Sequence, residues 1–340
     1  MLYMTPKKIL FICGSLNQTS MMHQISLYFG EHECYFTPYY ADGFINFVVS
    51  LGYLNFSILN GPFRRNTEKY LRDNNLKLDY RGISHSYDLV FTCADLIYPK
   101  NIRNTKVILV QEGMTDPENL MFYLVKYFRI PHWLASTSTM GMSYRYNYFC
   151  VASEGYKEFF INRKGVRPDK LIVTGIPNFD NVKQSLENDF PHKNYALVCT
   201  SDARETYKLE NRIKFIKDCV KIACGRQMIF KLHPNENFKR ATKEVNTYAP
   251  GALVFTSGNT NHMIANCNVL ITKYSSVSFV GLELGKEVHS YFDIEELKRL
   301  LPWQNDGTSA ERIAQVGMKL LESSKITQEE INSKLDLTTA

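Results

Sequence analysis

Short apolar runs of four to seven residues alternate with longer amphipathic stretches along most of the chain, and no other feature constrains the fold as much. Strands buried on both faces of a parallel sheet read as continuous apolar runs, and parallel neighbours need a helical crossover between them. The first series is Lys8 to Cys13, Cys34 to Tyr40, Asp88 to Cys93, Lys106 to Gln111, Tyr148 to Ser153 and Lys170 to Gly175. From Ile176 to Asn194 the sequence IPNFDNVKQSLENDFPHKN is polar and contains two prolines, the composition of a linker. A second series follows: Tyr195 to Thr200, Gln227 to His233, Ala252 to Thr256, Asn268 to Lys273 and Glu287 to Phe292. The expected class is α/β: two tandem, Rossmann-like, doubly wound parallel-sheet domains facing a cleft. At 340 residues the chain has room for both. We expect a first domain over 1–176, a linker over 177–193 and a second domain over 194–310. A helical tail over 311–340 (AERIAQVGMKLLE at its start) would pack back on the first domain.

Several classes are excluded by composition. Apolar and charged fractions of 44% and 22% are those of a globular protein. Forty basic against 34 acidic residues leave a net charge of +6, too small for a dedicated nucleic-acid binder, so no nucleic-acid partner is expected. The eight cysteines are scattered, without C-x-x-C, several of them inside apolar runs; they read as reduced and buried, without a disulfide frame or a metal site. Lys7 and Lys8 precede only the short run ILFIC and no small-residue cleavage site, so a cytoplasmic location is expected. Phe44 to Phe63 carries no charge for twenty residues, the length of a membrane span, but Asn46, Ser50, Asn55, Ser57, Asn60, Gly61 and Pro62 make it a poor occupant of hydrocarbon. The segment 119–134 (NLMFYLVKYFRIPHWL) is aromatic, with Lys126, Arg129 and His132 interspersed. It suits either a core helix with snorkelling cations or a peripheral contact with the inner face of an anionic membrane.

Ligands of doubly wound sheets bind beyond the carboxyl ends of the strands, so the residues following each run are the candidates. Gly14 to Ser20 is a hydroxyl-rich turn, either a capped helix start or a cleft lining, with Ser15 its candidate. Gln111-Glu112-Gly113 ends a strand, and Glu112 or the nearby Asp116 is placed to take a proton from an acceptor hydroxyl. Thr200, Ser201, Arg204 and Glu205 follow the first strand of the second series, a pattern that fits an anion or a capped helix. His233-Pro234 must leave its strand, because proline cannot continue a central one, and this leaves the imidazole at the sheet's edge. Tyr274-Ser275-Ser276 runs into a helix rich in small residues that carries Glu283 and closes at Gly285. One serine suffices for a cap, and three are present, which suggests a phosphate cradle.

This ordered set resembles the second half of GT-B glycosyltransferases. The quoted residues are Gly175-Ile176-Pro177-Asn178-Phe179-Asp180, Arg204-Glu205, His233-Pro234, Tyr274-Ser275-Ser276-Val277 and Gly285-Lys286. The most similar groups are bacterial capsule and lipopolysaccharide enzymes: sialyltransferase-like and Kdo-transferase-like proteins, and CDP-glycerol glycerophosphotransferases. The last group has Trp-His-Gly where this chain has Gln111-Glu112-Gly113, and Asp where it has Val280. The resemblance implies an inverting, metal-independent transfer, with no cofactor, from a nucleotide-activated sugar, a CMP-sugar being favoured, to a glycan or glycolipid acceptor. It assigns Glu112 or Asp116 as base, and His233 to the leaving phosphate. Ser15, Thr200, Ser201, Arg204, Glu205, Pro234, Tyr274, Ser275, Ser276 and Glu283 fall on the donor side. The alternatives are a CDP-glycerol-type polyol-phosphate transferase, a UDP-N-acetylglucosamine 2-epimerase-like isomerase, whose R-R-E-N is echoed by Arg204-Glu205, and a non-catalytic sugar-nucleotide binding module.

Overall fold

The computed structural model of the chain describes residues 5–52, 57–128, 130–206 and 208–322. It divides into two compact units, one running to Asp180 and resumed at Pro302, the other spanning Asn181–Leu301.

In the first unit the described strands are β1 (Lys8–Ile12), β2 (Glu33–Thr37), β3 (Leu89–Thr92), β4 (Lys106–Val110), β5 (Tyr148–Val151) and β6 (Leu171–Val173). They form one parallel sheet in the order β2-β1-β3-β4-β5-β6. The helices are α1 (Leu16–Ser26), α2 (Gly43–Ser50), α3 (Gly61–Asp73), α4 (Leu120–Phe128) and α5 (Glu154–Lys164). In the second unit β7 (Ala196–Cys199), β8 (Met228–Lys231), β9 (Leu253–Phe255), β10 (Val269–Ile271) and β11 (Glu287–His289) form a parallel sheet in the order β11-β10-β7-β8-β9. Its helices are α6 (Arg212–Ala223), α7 (Phe238–Tyr248), α8 (Thr260–Asn266), α9 (Val277–Glu283) and α10 (Ile294–Arg299). The chain then returns to the first unit with α11 (Ser309–Glu322).

Every apolar run of the sequence is a strand, shortened mostly at its carboxyl end where the chain turns away. Burial follows position in the sheet: β3, β4 and β5 are buried along almost their whole length, whereas the edge strands β2, β9 and β11 are partly exposed. β2 stops at Pro38, which has no N–H to continue the ladder. The Phe44 to Phe63 stretch contains α2 and the start of α3, with 53–56 outside the described residues, and among the described residues no helix is long and apolar enough to cross a membrane.

Part of the aromatic content is core. Phe11 stacks on Phe36 at 5.2 Å and on Phe91 at 5.1 Å, with Phe29 edge-on at 6.2 Å. α11 closes over this cluster at Gly317, where an added Cβ would lie 2.6 Å from Phe91 Cζ and 3.1 Å from Phe29 Cζ. The second unit has its own core, in which Phe215, Ile216 and Cys219 of α6 and Ala241 and Val245 of α7 cover β7, β8 and β10.

The return falls earlier in the chain than the sequence suggested. Residues 302–310, expected in the second domain, belong to the first unit, because their backbone is satisfied there. Trp303 N–H donates to Ala152 O (2.8 Å), Asn305 Nδ2 to Thr174 O (2.9 Å), and Ser309 N–H and Oγ–H to the Asp180 carboxylate (3.0 and 2.6 Å). Of the linker expected over 177–193, residues 181–193 fall in the second unit and are tied to it: Asn266 Nδ2 donates to Asn188 Oδ1 (2.8 Å), and its Oδ1 accepts from Lys193 Nζ (2.7 Å). Of the 311–340 tail, residues beyond 322 lie outside those described.

Gly317→Val should overpack this contact and destabilise the first unit by about 1–3 kcal/mol. Urea unfolding followed by tryptophan fluorescence should show the loss as a lower midpoint.

Candidate active site

In the first sheet the chain leaves β1 toward β2 on one side, while β3 lies on the other, so the carboxyl ends of β1 and β3 mark the topological switch point. Two loops nearby hold Glu112. Ser15 caps α1, its Oγ accepting the Gln18 N–H (3.2 Å), and its hydroxyl donates to Glu112 Oε1 (2.9 Å). Gln18 Nε2 donates to Glu112 Oε2 (2.6 Å). Gly14 leaves space for this arrangement, since a Cβ there would meet the Gln18 side chain at 2.1 Å. From the other side the buried Gln111 fixes the turn after β4, its Nε2 donating to Gly113 O (2.9 Å) and its Oε1 accepting the Ala152 N–H (2.9 Å). Glu112 therefore has neutral donors on both oxygens. Burial raises its pKa above the ordinary value, and the Gln18 and Ser15 hydrogen bonds only partly oppose this.

Asp116, the other candidate base, is committed to a different segment. Its Oδ2 accepts from Ser136 Oγ (2.8 Å) and its N–H donates to Thr137 Oγ1 (2.9 Å). In the aromatic segment Phe122 and Val125 are buried, and Phe122 lies under the ammonium of the buried Lys164 (3.9 Å), which pairs with Glu118 (3.0 Å). Leu120, Tyr127, Phe128, Trp133 and Leu134 are exposed; Arg129 lies outside the described residues.

In the second unit β7 lies between β10 and β8, and the loops after these three strands are tied into one structure. The His233 N–H donates to Thr200 Oγ1 (3.1 Å) and to Glu236 Oε2 (3.0 Å), and the Thr200 hydroxyl also donates to Glu236. His233 Nδ1 accepts the Asn235 N–H (3.3 Å). In the neutral ring this places the proton on Nε2, which makes it a donor. Asp202 lies 3.6 Å from Nδ1 and accepts from Asn235 Nδ2 (3.0 Å). The ring is 37% exposed, whereas the Glu236 carboxylate is fully buried.

Behind the loop runs a chain of buried charges. Glu236 pairs with Arg212 (2.7 Å), Arg212 with Glu210 (3.0 Å), and Glu210 with Lys273 (2.7 Å) beyond β10. Arg212 also donates to Ser201 O (2.9 Å). Arg204, the cation the sequence offered to an anion, is bound by Glu244 through both terminal nitrogens (2.7 and 2.8 Å), and Glu205 accepts from Arg240 and from the Asn237 N–H. These two residues fasten the loop after β7 to α7.

After β10, Ser275 precedes α9, its Oγ accepting the Val277 N–H (3.5 Å) and its carbonyl the Ser278 N–H (3.1 Å). Ser276 is already helical (φ −64°, ψ −15°) and its hydroxyl makes no capping bond. Tyr274 is exposed and packs edge-on against Phe292 (4.9 Å), and Glu283 pairs with Lys183 (3.2 Å). The residues that sequence reasoning passed over are Gln18, Gln111, Glu210, Arg212, Glu236 and Lys273. Glu236, three positions after His233, had a local signal in its spacing. Among the described residues no group of His, Cys, Asp and Glu side chains could hold a metal ion.

Two parallel-sheet α/β units of this construction define a GT-B-type fold. The chain belongs to the CDP-Glycerol:Poly(glycerophosphate) glycerophosphotransferase family, whose profile matches residues 79–291. The match falls on the glycerophosphotransferase branch of the resemblance and not on the sialyltransferase or Kdo-transferase branch. Curated proteins give no significant sequence match. Among solved structures, a Listeria monocytogenes protein described as a UDP-N-acetylglucosamine 2-epimerase aligns with TM-score 0.60 and 14% identity, over 95% of this chain and 98% of that one. The UDP-GlcNAc 2-epimerase from Neisseria meningitidis bound to UDP-GlcNAc aligns with TM-score 0.56 and 14% identity, over 92% and 100%. The H444N variant of the wall teichoic acid polymerase TagF aligns with TM-score 0.50 and 12% identity, over 97% and 90%. At these identities the structures establish the fold; the family match establishes a glycosyltransferase-type transferase.

A carboxyl whose pKa is raised in the folded protein costs stability once it ionises, so the first unit should lose stability as pH rises from the ordinary glutamate value of 4.5 through the raised one. Glu112→Gln should remove that component. The melting temperature of the variant relative to wild type should rise as pH increases above the ordinary glutamate value of 4.5 and level off once Glu112 is ionised, as read by calorimetry across pH.

Proposed function

We propose that the chain transfers a glycosyl group from a CMP-activated sugar to a hydroxyl of a surface-polysaccharide or lipooligosaccharide acceptor, with inversion and without a metal ion. The observation that carries this reading is the state of Glu112, a carboxylate at a strand's carboxyl edge with neutral donors and a raised pKa. Burial favours the protonated form of this carboxyl, which suits a group that takes up a proton during the reaction. The acceptor oxygen attacks the anomeric carbon as its proton passes to Glu112, and the bond to the phosphate oxygen breaks with its electron pair. His233 Nε2–H and the hydroxyls of Ser275 and Ser276 donate to that phosphate, stabilising the charge as it develops.

The charge balance of the second unit supports a leaving group of modest charge. Arg204, Arg212, Arg240 and Lys273 each face a carboxylate, so the phosphate is met chiefly by neutral donors and the imidazole. A nucleoside monophosphate carries less charge than a diphosphate and suits this environment better. A polyol-phosphate transferase is the second reading, favoured by the family match. Attack would then fall on phosphorus, with the same CMP departing, but Gln111-Glu112-Gly113 stands where that group has Trp-His-Gly.

Peripheral attachment to the cytoplasmic face of an anionic membrane completes the proposal. Leu120 and Phe128 are 74% and 73% exposed beside Lys126, an amphipathic surface of the kind that settles into headgroups. Flotation with anionic vesicles should carry the wild type upward and leave Leu120→Ser/Phe128→Ser behind. Wild type that stays at the bottom of the gradient would remove the membrane contact from the proposal.

Donor turnover should be measured with CMP-sugars, CDP-glycerol and UDP-N-acetylglucosamine in EDTA. With a CMP-sugar, Glu112→Gln should lower kcat by about 10²–10⁴-fold and His233→Ala by about 10²–10³-fold. Turnover of CDP-glycerol alone would establish the second reading, and epimer formation from UDP-N-acetylglucosamine without acceptor would replace both. Both variants within a few-fold of wild type would refute these catalytic roles.

A further inference from the structure

We infer that Glu236 is the positioning residue of the His233 loop and that Arg212 acts through it. The inference rests on the reading of His233 as the donor to the leaving phosphate, and it concerns what holds that donor in place. Glu236 Oε2 accepts both the His233 N–H (3.0 Å) and the Thr200 hydroxyl, while Oε1 faces Arg212 Nη2 at 2.7 Å. Its carboxylate is fully buried and the Arg212 side chain is 3% exposed, so neither can exchange its partner for water. Arg212 in turn holds Ser201 O, after β7, and Glu210, whose other oxygen takes Lys273 from beyond β10. Three strand-end loops are thus joined through two carboxylates, and the backbone of His233 hangs on one of them.

The ring is ordered by the same hold. With the backbone fixed, the Asn235 N–H meets Nδ1 and the neutral ring shows Nε2–H outward. Loss of Glu236 leaves the His233 N–H with Thr200 Oγ1 alone and takes the buried acceptor from the Thr200 hydroxyl, so the turn at Pro234 is held by one bond in place of a buried carboxylate. The consequence is a ring that samples both tautomers and several orientations, and a weaker grip on phosphate.

Removing one member of a buried ion pair leaves an unpaired charge and risks unfolding, whereas replacing both with apolar residues of similar size often leaves stability unchanged. The decisive variant is therefore Arg212→Met/Glu236→Leu, compared with wild type by melting temperature, CMP binding by calorimetry, and the ¹⁵N resonances of the His233 imidazole, assigned by their loss in His233→Gln. The expected result is a melting temperature within a few degrees of wild type, CMP affinity at least about tenfold weaker, and His233 nitrogens shifted from the Nε2–H tautomer toward an average. Recovery of all three to wild-type values would overturn the inference, because a purely structural pair is fully replaced by good packing. Should the double variant fail to fold, Glu236→Gln decides: it keeps an acceptor but loses the charge, and no change in CMP affinity or His233 resonances would overturn the inference. If wild type binds no CMP, the proposed donor is wrong, and the tautomer comparison alone decides the positioning role.

Discussion

Two carboxylates closed off from solvent, Glu210 and Glu236, organise the second unit. A buried charge is tolerated only when it is paired and hydrogen-bonded, and here the partners follow three separate strands: the Thr200 hydroxyl and Arg212, at the start of α6, after β7, the His233 N–H after β8, and Lys273 after β10. Breaking one such pair typically costs about 3–5 kcal/mol, so the loops are ordered by the same energy that keeps the unit folded. Pairing also commits the cations. At this edge of the sheet Arg204, Arg212 and Lys273 are therefore engaged by carboxylates, while the His233 ring stays partly exposed.

The first unit treats its carboxylate in the opposite way. Glu112 is held as firmly as Glu236, through Ser15, Gln18 and the turn fixed by Gln111, but its donors carry no charge. Neutral donors orient a carboxylate without stabilising its ionised form as a cation would, and burial then raises the pKa. Paired carboxylates in one unit hold loops in place, and in the other a carboxylate held by neutral donors carries the proposed role of base. The fold places both kinds beyond the carboxyl ends of parallel strands, where backbone ladders end and side chains are free for other work.

The architecture was legible in the sequence because parallel strands are buried on both faces and leave apolar runs that little else produces. All those runs became strands, and the carboxyl-edge candidates after them followed directly. The limits lie where tertiary pairing decides. Arg204 reads as a free cation at a helix mouth until Glu244, forty residues away, takes both its terminal nitrogens. Glu210 and Arg212 sit in KLENRIK, which reads as a solvated helix start, and only the neighbouring loops bury them. The boundary at 302 was missed because its polar sequence resembles a loop, and the bonds to Ala152, Thr174 and Asp180 that claim it for the first unit cross more than a hundred residues. The resemblance to sialyltransferase-like enzymes rested on Gln111-Glu112-Gly113, His233-Pro234 and Ser275-Ser276, whereas the family match falls on the glycerophosphotransferase branch.

The proposed donor site, an imidazole and neutral donors with Arg204, Arg212, Arg240 and Lys273 engaged by carboxylates, should bind a nucleoside monophosphate without help from a metal. Calorimetric titration of CMP into the protein, in EDTA and then with magnesium, compares wild type with His233→Ala most directly. Binding that is the same in both buffers and lost in the variant is the expected result. Binding that appears only with magnesium, or that survives the loss of His233, would contradict it.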